Sequence, residues 1–290
     1  MWLLLTNPTS GSGNGARLSR MVSGFLASKR ILFRDISGGS YEESARNLKK
    51  YVSAQPSDLS GVIVVGGDGM VHLTAQELAH SEIPLAVIPA GTGNDFARSL
   101  NLPLDNPTLL VDHYLTKEPT KIDLGRVNGR IFADILSTGF DSIVNERANR
   151  MKLVKGRMKY NAAILLELPT FKAKTYEFRI DGISFTTKAM LIAVSNGISY
   201  GGGMKVTPHA KIDDGLFDVM VLGPVSKIEF LKVFPKVFSG GHVNHPAVQI
   251  LRGKEVEIDS DAVAYADGER IGELPIFAEV LPGSLLTWRL

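Results

Sequence analysis

Apolar positions along the first 120 or so residues follow two alternating rhythms. Short unbroken runs, "WLLL", "ILFRDI", "GVIVV" and "PLAVI", are each followed by a stretch with helical spacing: Ala16 to Ala27, Tyr41 to Ser53, Val71 to His80 and Asn94 to Leu100. Unbroken runs suit strands buried on both faces and the intervening stretches suit covering helices, so the order predicts a parallel sheet of the βαβ type. After about Lys121 the rhythm changes. Asn128-Gly129 in "LGRVNGRIF" and Asp181-Gly182 in "EFRIDGISF" are hairpin signals, and short strands then dominate, as in "AMLIAVSN", "LFDVMVL", "EVEIDS", "VAYAD" and "PIFAEVL". That texture predicts an antiparallel sandwich. Helices interrupt it at Met158 to Leu168 and after Ser226, where Ser226 and Glu229 make a capping-box pattern. The expected fold is an α/β domain with a parallel sheet over residues 1–122 and an antiparallel β-sandwich over 123–290, whose last strand can return to the first domain.

Composition supports two cores: the chain has 290 residues, 44% of them hydrophobic. Lys plus Arg (32) nearly balance Asp plus Glu (30), giving +2, so no global field calls for a polyanion and nucleic acid is not an expected partner. The absence of cysteine removes disulfides, thiolate metal sites and cysteine nucleophiles, and fits a reducing, cytoplasmic compartment. "MWLLLTNPTSG" lacks a basic leader region and reads as a first strand, and no apolar run approaches the ~18 to 20 residues that cross a bilayer.

Three of the predicted strand ends are rich in glycine: "NPTSGSGNG", "GGDGM" and "PAGTGND". In a parallel sheet they lie side by side at the edge where backbone N–H groups and helix N-termini face a ligand. Glycine permits φ > 0 and lets an anion approach the main chain. Each loop alone reads equally as a tight turn; three together favour phosphate. Asp68 is the odd element, because a carboxylate among phosphate-binding amides repels an anion unless a divalent cation lies between them. Mg²⁺, held by one or two carboxylates with phosphate oxygens and waters, resolves that conflict. The other reading is that Asp68 caps the next helix through its side chain. Asp95 raises the same choice. P-loop, G-x-G-x-x-G and protein-kinase elements are absent.

These motifs resemble the diacylglycerol kinase catalytic-domain family and its soluble bacterial lipid kinases, over nearly the whole chain: "NPTSGSGNG", "VVGGDGM", "IPAGTGNDFAR", "AKIDDGLFDV" and "YADGE". The resemblance implies a nucleotide domain, a β-sandwich, and ATP bound in the cleft between them. It implies that Asn7, Ser10, Gly11, Ser37, Gly66, Gly67, Asp68, Gly69, Thr92 and Asn94 approach the nucleotide, and that Asp68 and Asp95 organise the catalytic Mg²⁺. Asp267 takes the place of the general base for the lipid hydroxyl; spacing alone makes Asp267-Gly268 a hairpin turn. A second, structural Mg²⁺ is implied at the Asp214 carboxylate and the main-chain oxygens of Lys211 and Leu216. Met70 and Leu73 depart from the family pattern of Thr and Glu, which keeps open a non-catalytic lipid- or nucleotide-binding protein, beside a NAD kinase as the enzyme rival.

The implied partner is a lipid at the bilayer surface, on the inner face of the membrane. The basic stretch Arg147, Arg150, Lys152, Lys155, Arg157 and Lys159, with Lys172 and Lys174, reads either as a reversible anchor on anionic lipid or as a solvated helix face. A homodimer is an open assembly state.

Overall fold

The computed structural model describes residues 1–54, 58–151 and 157–290. The chain forms two compact units, one of residues 1–124 with 282–290, the other of residues 125–281.

In the first unit β1 (Trp2–Thr6), α1 (Ser10–Ser28), β2 (Phe33–Asp35), α2 (Tyr41–Ser53), β3 (Gly61–Gly66), α3 (Asp68–Leu78), β4 (Leu85–Pro89), α4 (Asp95–Ser99) and α5 (Pro107–Thr116) follow in order. β5 (Thr120–Val127) then leads towards the second unit. The strands pair in parallel in the order β2-β1-β3-β4. All residues of β1, β3 and β4 are buried, as their unbroken apolar runs require. Helix starts are set by local chemistry: the Ser40 side chain accepts from Glu43 N, and Asn106 accepts from Leu109 N ahead of Pro107. The C-terminal residues join this unit because Trp288 packs on Tyr114 and Trp2, its Nε1 donating to Lys117 O at 2.7 Å.

The second unit contains β6 (Arg130–Phe132), β7 (Ile135–Gly139), α6 (Phe140–Arg150), α7 (Arg157–Glu167), β8 (Lys174–Ile180), β9 (Ile183–Ala189), β10 (Leu191–Ser195) and β11 (Phe217–Leu222). α8 (Lys227–Val233), two short 3₁₀ turns (Phe234–Phe238 and Gly241–Asn244), β12 (Val248–Gly253), β13 (Glu255–Asp259), β14 (Val263–Ala266), β15 (Glu269–Glu273) and β16 (Ile276–Thr287) complete it, the last strand ending in the first unit. One antiparallel sheet runs β12-β11-β10-β7-β14-β15, and β16-β13-β8-β9 form another. Side chains from both, among them Phe132, Leu136, Tyr176, Val194, Phe217 and Ile258, share one core, which makes a sandwich. Alternation drives this packing: in β13, Val256 and Ile258 are buried while Glu255, Glu257 and Asp259 face out.

The hairpin signals operate as the dipeptides require. Asn128-Gly129 and Asp181-Gly182 both take positive φ at the β5-β6 and β8-β9 turns. Ser226 and Glu229 form a complete capping box at α8. One helix escapes the pattern reading: α6 starts inside the "TGFDS" junction.

Candidate functional site

In the first unit the three glycine loops lie side by side. Asn7 N donates to Val65 O at 3.0 Å, and Ala90 N donates to Gly66 O at 2.8 Å, so the ends of β1, β3 and β4 are stitched together. Their closeness depends on missing side chains. A Cβ on Gly91 would lie 2.5 Å from the Gly67 Cα, and one on Gly11 would lie 2.3 Å from the Ala90 carbonyl oxygen. Gly11, Ser12 and Gly13 are three successive left-handed residues, at φ 56°, 59° and 94°, placed at the start of α1. Such a start leaves main-chain amides near an anion without a side chain in the way.

Asp68 is tied to the neighbouring loop. Its Oδ2 accepts from Asn94 N at 2.9 Å, and its Oδ1 accepts from Asp95 N at 2.7 Å and Phe96 N at 3.4 Å. The carboxylate therefore caps the N-terminus of α4, across the sheet edge from its own helix. Asn94, left-handed at φ 56°, closes the same loop on itself: its Oδ1 accepts from Gly91 N and its Nδ2 donates to Gly91 O. Asp68 and Asp95 converge. A Cβ placed on Gly93 would meet Asp68 Oδ2 at 2.5 Å and Asp95 Oδ2 at 3.1 Å, so both carboxylates border one glycine. Among the described residues no group of three His, Cys, Asp or Glu forms a metal cage. Two converging carboxylates fit Mg²⁺, which takes few protein ligands and completes its shell with phosphate and water.

The other expected residues in this unit are local. Asn7 Oδ1 accepts from Thr9 N and Thr9 Oγ1, and Ser37 Oγ accepts from Thr6 N at 2.8 Å, so both side chains fix the ends of β1 and β2. Ser10 begins α1, Gly66 ends β3, Gly67 and Gly69 flank Asp68 at the start of α3, and Thr92 is exposed on the third loop. Met70 and Leu73 are 5% and 2% exposed. Their side chains belong to the core between α3 and the sheet, and Met70 packs where a Cβ on Gly66 would lie.

In the second unit Asp267 and Gly268 make the β14-β15 turn with φ 49° and 85°. The turn is also a clamp. Asp267 Oδ2 accepts from Ala133 N at 2.7 Å, and its Oδ1 accepts from Asp134 N at 3.0 Å and Ile135 N at 3.2 Å, which orients the carboxylate rigidly. Asp214 Oδ1 accepts from Leu216 N, and its Oδ2 forms an ion pair with Arg252, which also reaches Asp218 at 3.4 Å. The positive charge beside Asp214 is thus a guanidinium, and the residues fit a structural Mg²⁺ poorly. Lys211 and Leu216 lie in the same turn region as Asp213 and Asp214, and no group of three His, Cys, Asp or Glu there could hold a metal among the described residues. Of the basic stretch, Arg147 is paired with Glu167 and Arg150 reaches Glu146; Lys152, Lys155 and the side chains of Arg157 and Lys159 lie outside the described residues.

The same unit holds a cavity of about 100 Å³ with a nearly continuous apolar wall, formed by α6, β10, β11, α8 and the 3₁₀ turn after it. Apolar cavities of comparable size stay dry and accept apolar groups. Titratable side chains break the wall, among them Asp141, His242 and His245. Asp141 accepts from Ser137 Oγ at 2.6 Å and Asn145 Nδ2 at 3.2 Å, and burial raises its proton affinity, partly offset by the Ser137 and Tyr200 hydroxyls. His242 donates from Nε2 to Val206 O, and burial lowers its basicity. The sequence reading missed this cavity and Asp141. The available signal was an acid in an otherwise apolar strand-to-helix junction, "ILSTGFDSIV".

Comparison with known proteins agrees with this architecture. Residues 1–127 match the diacylglycerol kinase catalytic domain, and residues 134–288 match the YegS C-terminal NAD kinase beta sandwich-like domain. The chain is 37% identical to the diacylglycerol kinase of Mycobacterium tuberculosis (strain H37Rv), over 98% of this chain and 94% of that one. It is 30% identical to the diacylglycerol kinase of Bacillus subtilis (strain 168), over 74% and 72%. A solved diacylglycerol kinase structure from Bacillus anthracis shares the fold, with a TM-score of 0.74 at 22% identity over 100% of this chain and 96% of that one. With its glycine loops, paired carboxylates and β-sandwich, this chain belongs to the diacylglycerol kinase family of lipid kinases.

Proposed function

We propose that the chain transfers the γ-phosphate of ATP to the free hydroxyl of diacylglycerol or a related lipid, yielding phosphatidic acid, with Mg²⁺ as cofactor. The observation that carries this reading is the convergence of Asp68 and Asp95 on Gly93, beside the left-handed run Gly11 to Gly13. A triphosphate needs main-chain donors for its oxygens and a cation to offset its charge, and this edge supplies the first and the ligands for the second. Bound Mg²⁺ would neutralise charge on the transferring phosphoryl group. The protein's part is to hold the phosphates through amides of the Gly11–Gly13 and Gly67–Gly69 loops and to fix both carboxylates. Asp68 does so under restraint from three amides, which suits a role in orienting metal-bound water as well as direct ligation.

In this reading Asp267 accepts the proton of the attacking hydroxyl. The apolar lining of the cavity in the second unit suits part of an acyl chain. In this reading the enzyme meets its lipid at the surface of the cytoplasmic leaflet; no helix among the described residues is long and apolar enough to cross a membrane.

Met70 and Leu73 favoured a non-catalytic rival in the sequence. Both side chains are buried in the core, Met70 against Gly66, so the rival is left to the experiment. The deciding experiment offers labelled ATP and Mg²⁺ with mixed lipid vesicles and, separately, NAD. Label in phosphatidic acid supports the proposal. Label only in NADP, or nucleotide binding without transfer to any lipid, overturns it.

A further inference from the structure

The segment from α8 through the following 3₁₀ turn is apolar on two opposite sides. Phe230, Val233, Phe234 and Val237 point inward and line the cavity. Ile228, Leu231 and Phe238 point outward and are 68%, 46% and 48% exposed. Ile228 and Leu231 are one turn apart, and exposed Pro235 follows Leu231 by another, so they form a ridge where a helix facing only water carries polar residues.

The charges along this ridge have one sign. Glu229 is the only acid between Pro224 and Gly241, and its carboxylate is engaged by Ser226 N and by His245 Nε2. Lys227 is turned onto the Phe171 carbonyl. Lys232 and Lys236 are exposed and make no ion pair among the described residues. A large apolar ridge flanked by unpaired lysines matches the chemistry of an anionic bilayer surface, with apolar side chains at the acyl boundary and ammonium groups at the level of the phosphates.

We infer that the ridge of Ile228, Leu231 and Phe238, with Lys232 and Lys236, is the surface by which this protein seats on an anionic bilayer. Its inward face is part of the wall of the cavity, so seating brings lipid chains to an element that borders that cavity. The occupant of the cavity rests on the lipid-kinase reading; the seat itself stands on exposure and charge. It is also distinct from the basic stretch at 147–159, where the described cations Arg147 and Arg150 both have acidic partners.

The test uses the whole protein and sedimentation with vesicles of phosphatidylcholine, with and without phosphatidylglycerol. Wild type should bind the anionic vesicles and bind them less as salt rises. I228D/L231D should raise the lipid concentration for half-binding at least about tenfold, and K232E/K236E should remove the preference for phosphatidylglycerol. Ile228→Trp provides a readout independent of disruption. Its emission should shift to the blue and be quenched by brominated lipid, whereas Leu109→Trp, at an exposed position of α5, should respond to neither. Unchanged vesicle binding by I228D/L231D, or an unmoved Ile228→Trp emission, overturns the inference. If the charged variants instead dissociate a dimer in ultracentrifugation while vesicle binding persists, the ridge is a protein contact and the inference fails. Wild type assayed on dispersed short-chain diacylglycerol keeps the two readings apart: binding without any lipid phosphorylation sinks the kinase proposal and leaves the seat in place.

Discussion

Replacing Asp267 by Asn tests a residue that is a clamp in the structure and a base in the proposed mechanism. The carboxylate serves three amides, those of Ala133, Asp134 and Ile135, in residues only 1%, 4% and 2% exposed. An Asn oxygen in the Oδ1 place can still serve Asp134 and Ile135. Its NH₂ then meets the Ala133 N–H, donor against donor, at a site where the present separation is 2.7 Å. The loss is one charge-assisted bond plus one buried orphan donor, about 2 to 3 kcal/mol. For a unit of this size that corresponds to a fall in Tm of roughly 5 to 10 °C. Asp267→Ala, which orphans all three donors apart from what water can restore, should cost more, about 3 to 6 kcal/mol.

Catalysis is a separate reading on the same variant. Loss of a positioned base lowers kcat by about 10² to 10⁴, while loss of a clamp alone lowers Tm and spares kcat at temperatures where the chain stays folded. Scanning calorimetry, with initial rates well below the transition, separates them. A D267N protein with wild-type Tm would refute the clamp argument. One with lowered Tm and wild-type kcat would remove Asp267 from proton transfer and leave it as the anchor of residues 133–135.

Much of the fold was legible because the physics that sets it is periodic. Unbroken apolar runs gave the parallel strands, alternating ones the sandwich, and the Asn-Gly and Asp-Gly dipeptides their turns, since each pattern has one favourable way to bury its apolar side. The site was legible as a place more than as a set of contacts. Glycines at three strand ends mark where backbones meet, and Gly67 and Gly91 do meet. What an aspartate does there is written in no local pattern. Asp68 was open between metal ligation and capping of the next helix; the structure instead shows it capping α4, a helix that starts 27 residues later, a partner that only the sheet order brings near. Asp267 likewise binds amides some 130 residues earlier. Met70 and Leu73 show the converse limit. Their identity departs from the family pattern, but which side of α3 they occupy depends on packing that sequence spacing near a helix start leaves undetermined.

Three further outcomes follow from the geometry. Gly91→Ala brings a Cβ to 2.5 Å from the Gly67 Cα, main chain against main chain, so the loops must part; about 1 to 3 kcal/mol of stability and at least about tenfold in ATP affinity should be lost, measured by melting and calorimetric titration. Met70→Thr restores the hydroxyl of the family pattern but leaves a void in the core, so Tm should fall by the equivalent of about 2 kcal/mol or more with no gain in kcat; a faster enzyme would show that the side chain reaches the phosphates. Asp141 carries a pH signature, because burial raises its folded-state proton affinity above the unfolded value. Below the ordinary carboxylate range both states are protonated and the group is neutral to stability. As pH rises out of that range the unfolded chain ionises first, so stability declines until the folded-state value is passed and stays at the lower level beyond it. Asp141→Asn cannot ionise and keeps an amide able to bond Ser137, so its melting temperature should lose that decline and equal or exceed the wild type near neutral pH. A variant whose pH profile runs parallel to the wild type would show that Asp141 is already ionised in the folded protein, and with it that the cavity wall is wetter than its apolar lining implies.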